Sequence, residues 1–70
     1  MSTSSVAVRD SLKVALGPTA ASLDVEELEG RVVVRGRVRS YYAKQLVTHA
    51  ALPAAGGLRV ENDVRVNAAA

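Results

Sequence analysis

The chain has 70 residues, no cysteine, a formal net charge of +2 and 49% hydrophobic residues, with Tyr41 and Tyr42 as its only aromatics. That length allows one domain, and the missing cysteines exclude disulfide staples and thiolate metal sites. The charge is too weak to argue for nucleic acid by itself, and no run approaches the roughly 20 apolar residues that span a bilayer.

The opening MSTSSVAVRD has neither a basic start nor an apolar run of signal-peptide length. The chain as given therefore reads as cytoplasmic, with a peripheral position as the membrane location open to it. Val8, Leu12, Ala15 and Leu16 recur at helical spacing, which predicts a first helix over Val6–Leu16. Ser4 or Ser5 can cap its start, and Gly17-Pro18 stops it.

Ser22 to Glu29 alternates and predicts a strand with one wet face. Glu29-Gly30 is the expected turn, because Gly30 accepts positive φ without steric cost. A two-residue loop there pairs Leu28 with Arg31, Glu27 with Val32, Val25 with Val34 and Asp24 with Arg35. Leu23, Val25, Val32, Val34 and Val38 then share the core face. Glu27 falls on that face too, and an unpaired buried carboxylate is costly. It belongs at the open rim, or else a bulge turns it outward. Arg31, Val33, Arg35, Arg37 and Arg39 face away from the core. Gly36 faces inward, and a helix packed closely over it is the simplest reason for a glycine in mid-strand.

Ser40 caps a second helix through the N–H of Tyr42 or Ala43. Ala43, Leu46, Val47 and Ala50 form its apolar face, and Pro53 with Gly56-Gly57 ends it. The last strand, Leu58–Val66, turns Val60, Asn62, Val64 and Val66 inward and Arg59, Glu61, Asp63 and Arg65 outward. Residues 67–70 make a short tail, leaving a core of residues 6–66 in one domain, 1–70. The order αββαβ predicts an α+β fold. A right-handed crossover lays the last strand parallel beside the second strand, in a mixed three-stranded sheet with both helices on one face.

The series Gly30-x-Val32-x-Val34-x-Gly36-x-Val38-x-Ser40 is followed by Lys44, the apolar positions of the second helix and Gly56-Gly57. Val60-Glu61-Asn62 and Val64-Arg65-Val66 complete it. Together these resemble the BON domain, the module named after bacterial osmotically induced and nodulation proteins. The resemblance runs from Val6 to Val66. It implies a module that binds phospholipid or membrane, or acts as an interaction domain in secretin-type and channel-associated proteins. It implies no enzymatic activity.

The residues themselves admit two readings of the arginine row. Arg31, Arg35, Arg37 and Arg39 could dock on anionic headgroups, each worth about 1 kcal/mol near an acidic surface. The simpler reading is a solvated face, since Asp24, Glu61 and Asp63 border the row and cross-strand pairs compensate it. Tyr41 and Tyr42 suit a membrane interface beside Arg39; alternatively one packs on the first helix or the sheet edge. His49, alone and off the apolar stripe, reads as a surface residue. Asn62, inward by alternation, must be hydrogen-bonded and is expected to tie the last strand to a nearby loop. The acidic run Asp24, Glu26, Glu27 and Glu29 is split between two faces and lacks EF-hand spacing, so no metal site is expected. KH modules need a GXXG loop and RRM sheets need strand aromatics, and this chain has neither.

The expectation is a non-catalytic module for an anionic membrane surface or phospholipid headgroups, without cofactor, metal or nucleic acid. Its contacts are Arg35, Arg37, Arg39, Tyr41, Tyr42 and Lys44. Gly30, Gly36, Ser40 and Asn62 are structural. The alternative is a protein–protein interaction or self-assembly module, with a protein partner or a second copy on a free sheet edge.

Overall fold

The structure, a computed structural model, describes residues 3–67. Its elements are α1 (Thr3–Leu16), a 3-10 turn (Gly17–Ser22), β1 (Leu23–Leu28), β2 (Arg31–Val38), α2 (Tyr41–Ala54) and β3 (Arg59–Val66). The strands lie in the order β1-β2-β3, with β1 antiparallel and β3 parallel to the central β2. This is the α+β arrangement that the periodicities predict.

The hairpin register is the expected one, from Leu28 opposite Arg31 to Asp24 opposite Arg35. Its two-residue turn places Glu29 at φ 38° and Gly30 at φ 79°, the paired positive values whose twist matches the flanking strands. The ladder is continuous, so Glu27 keeps its place opposite Val32 and lies exposed at the rim without a bulge.

One cluster forms the core. α1 gives Val8 and Leu12, the sheet gives Val25, Val32, Val34, Val38 and Val64, and α2 with its C-cap gives Val47, Ala51 and Ala55. Both helices therefore cover the same sheet face. Each fully buried valine or leucine contributes about 1.5–3 kcal/mol relative to exposure.

Several local expectations are corrected. α1 begins at Thr3, so Ser4 and Ser5 lie within its first turn and not at the residue before it. Ser5 is buried and heads a stripe with Val8 and Leu12, while Ala15 is exposed. An earlier start and a 3.6-residue period carry the stripe along Ser5, Val8, Leu12 and Leu16. In α2 the buried residues are Val47 and Ala51, flanked by Ala43, Ala50 and Ala54; Leu46 stands outside the cluster. Pro53 sits inside the last turn of α2. β3 begins at Arg59, one residue late, with Leu58 packed against the core. Of the expected tail, Asn67 donates its N–H to the Val38 carbonyl at 2.7 Å, and residues 68–70 lie outside the described residues.

Gly36 is special for a different reason from the one expected. Its φ is +144°, and a Cβ there would stand 2.2 Å from the Ser22 carbonyl oxygen and 2.9 Å from Leu23 Cδ2. The glycine makes room for the chain entering β1, not for a helix.

Candidate functional site

Strand alternation and register arrange the open face of the sheet in rows across the strands. Arg31 stands beside Arg59, Val33 between Glu26 and Glu61, Arg35 between Asp24 and Asp63, and Arg37 beside Arg65. The middle rows are internally compensated. Arg35 Nη1 reaches Glu26 Oε1 at 3.0 Å and its Nε reaches Asp63 Oδ2 at 3.6 Å; Arg31 Nε lies 3.5 Å from Glu61 Oε1. Val33 faces this side, outside the core cluster, yet is only 2% exposed. Long charged side chains can cover an apolar residue with their stems while their heads stay in water, and the bridged arginines flank Val33 along the strand.

The compensation stops at the end of the sheet that leads into α2. Arg37, Arg39 and Arg65 are exposed, and none makes an ion pair or side-chain hydrogen bond among the described residues. The chain leaves β2 here and turns at Ser40, whose extended backbone ends the strand and whose Oγ accepts from the Ala43 N–H at 3.1 Å. Tyr41 and Tyr42 follow at once, 73% and 70% exposed. Neither packs on α1 or the sheet edge. Lys44, one turn on, is half-buried. Of the six predicted contacts, Arg37, Arg39, Tyr41, Tyr42 and Lys44 thus gather at one joint, while Arg35 lies in the neighbouring row, held by two acids.

Asn62 fixes that joint. Its Nδ2 donates to the Lys44 carbonyl at 2.7 Å and to Thr48 Oγ1 at 2.8 Å, and its Oδ1 accepts from the Val64 N–H at 3.2 Å. The tie runs to the first turns of α2, where a loop was expected. His49 is exposed, as its position off the stripe predicts. Asp24 and Glu26 lie on the open face and Glu27 on the other, and no group of acids and histidines among the described residues could hold a metal ion.

Two residues escape the sequence reading. Arg65 alternates outward as expected, but only the parallel register sets it beside Arg37. Arg9, on α1, donates Nη2 to the Val25 carbonyl at 3.3 Å and so occupies one backbone acceptor of edge strand β1.

Ser40→Ala removes the cap of α2 and is expected to cost about 1 kcal/mol, lowering the melting temperature by roughly 4–8 °C in a domain this small. Ser40→Asp, which also caps, should melt close to the parent. Equal melting of all three proteins would show that the cap contributes nothing.

No helix of the described residues is long and apolar enough to cross a membrane. Comparison with curated proteins and with solved structures returns no match. The family model described as BON domain matches residues 4–68, nearly the whole chain. With the αββαβ order and the valine-glycine hairpin in place, the chain belongs to the BON domain family, a family of small non-catalytic binding modules.

Proposed function

We propose that this domain docks on an anionic membrane surface through the joint between β2 and α2. The observation that supports this is the pair Tyr41 and Tyr42, both largely exposed beside Arg37 and Arg39, which make no ion pair among the described residues. Tyrosines place a ring in the interfacial layer and a hydroxyl in water, while arginines meet the headgroups. Lys44 adds a cation one turn along α2. Arg35 has the smaller share, because binding a headgroup means leaving Glu26 and Asp63.

Flotation with phosphatidylglycerol vesicles tests the reading. The protein is expected to float at low salt and to release at high salt, as screening requires. Arg37→Gln combined with Arg39→Gln should weaken binding roughly thirtyfold, taking about 1 kcal/mol per basic residue. No flotation at low salt refutes the proposal.

Self-association is the second reading, and a specific observation directs it to β3. β1 and β3 are the edges of the sheet, but Arg9 already occupies a β1 carbonyl. A strict monomer by light scattering at high concentration argues against it.

A further inference from the structure

Arg37 and Arg65 are direct partners on adjacent parallel strands, both on the open face. Like charges placed opposite each other across a sheet destabilise it. Elsewhere on this face Arg35 is answered by two acids, and in the other arginine pair, Arg31 beside Arg59, Arg31 is answered by one. At the Arg37–Arg65 row no acid among the described residues answers, although Asp24 and Asp63 stand only one row away beside Arg35. We infer that Arg37 and Arg65 form a clamp for one phosphate oxyanion, with the phosphomonoester class preferred.

Neighbouring strands lie about 4.8 Å apart, so two side chains rising from partner positions can converge on one small anion. Guanidinium offers a planar fork of donors that fits phosphate oxygens two at a time. A tetrahedral phosphate can give one pair of oxygens to each fork, which a single carboxylate cannot do. A phosphomonoester carries about −1.5 to −2 charges near neutral pH and so answers both arginines. A phosphodiester carries one charge and answers half. The clamp deepens the membrane reading and rests on it for the source of the phosphate, a lipid headgroup, with free phosphate as the other source of the same chemistry.

The test observes the arginine Nε–Hε resonances by NMR while inorganic phosphate is titrated against sodium chloride at matched ionic strength. Saturable shifts are expected at Arg37 and Arg65, with the remaining arginines still. Arg65→Gln should weaken the binding roughly tenfold or more, the loss of one bidentate charged contact. Arg59→Gln, on the same strand and also exposed, should leave it unchanged. Without phosphate, Arg65→Gln should melt no lower than the parent, because it relieves a like-charge pair. Equal shifts at all exposed arginines, or phosphate binding unaltered in Arg65→Gln, overturn the clamp. Vesicles separate the sources. Stronger flotation on phosphatidic acid than on phosphatidylglycerol, lost in Arg65→Gln, assigns the headgroup. Saturable phosphate binding without flotation on either vesicle keeps the clamp and retires the membrane reading. Flotation that ignores Arg65→Gln, with no phosphate shifts, retires the clamp and keeps the membrane reading.

Discussion

Gly36→Ala is expected to remove at least half of the domain's stability. Two costs coincide at this position. The backbone φ of +144° lies where L-residues are strained, a penalty of about 1–3 kcal/mol. The new methyl would also overlap the Ser22 carbonyl, at 2.2 Å. That atom is backbone, and the Ser22 hydroxyl anchors the same segment, with its one proton in reach of the carbonyls of Arg37 at 2.8 Å and Thr19 at 2.9 Å. Relief requires the start of β1 to move away from β2. A total on the order of 5 kcal/mol follows, against a stability of roughly 4–10 kcal/mol for a domain of this size. Gly30→Ala is the control. Gly30 also has positive φ, but no atom lies within 4 Å of a Cβ placed there, so the cost is the backbone term alone, about 1–2 kcal/mol. Urea denaturation of the two variants checks the contrast. If Gly36→Ala unfolds at the same urea concentration as Gly30→Ala, the Ser22 segment yields easily and the argument is wrong.

The contrast also shows where sequence reading stops. Alternation over Leu23–Leu28 and Arg31–Val38, with a two-residue turn between them, fixes the hairpin to the residue, because a slip by one turns every valine to water. The mid-strand glycine is visible as an anomaly for the same reason. What crosses it is not visible, since alternation assigns a face and says nothing of which segment arrives there. The joint shows the same division. Ser40 as a cap and the tyrosines beside Arg39 are local features, so they are legible. The Arg37–Arg65 pairing is nonlocal, and only the β2–β3 register brings it about. Val33 misleads in another way. Facing away from the helices usually means exposure, but Val33, on the central strand with arginines at i±2, is buried, and long charged side chains can cover an apolar neighbour with their stems.

Asn62→Asp is expected to cost about 3 kcal/mol, more than Asn62→Leu at roughly 2 kcal/mol, both from unsatisfied polar groups. Both donors of the amide are used, on the Lys44 carbonyl and Thr48 Oγ1, and its oxygen takes the Val64 N–H. Leucine keeps the volume and strands those partners. Aspartate still accepts from Val64 and from the Thr48 hydroxyl, but its charge faces the Lys44 carbonyl oxygen, which only repels it. Such a carboxylate has its folded-state pKa raised, so the penalty is present above the unfolded pKa and is relieved as the pH falls. Asn62→Asp should therefore recover toward Asn62→Leu on acidification, whereas Asn62→Leu itself shows no such recovery. Thr48→Val isolates one of the three bonds. Combined with Asn62→Leu it should cost less than the sum of the single changes, with a coupling of about 0.5–3 kcal/mol. The consequence reaches the joint, because Asn62 holds the first turns of α2, and with them Tyr41, Tyr42 and Lys44, to the strand that carries Arg65. A folded Asn62→Leu protein should give broadened or split NMR signals for Tyr41 and Tyr42 while the β1–β2 hairpin stays unchanged. Sharp, unshifted tyrosine signals in that variant would mean that the core contacts of Val47 and Ala51 position the helix without help from Asn62.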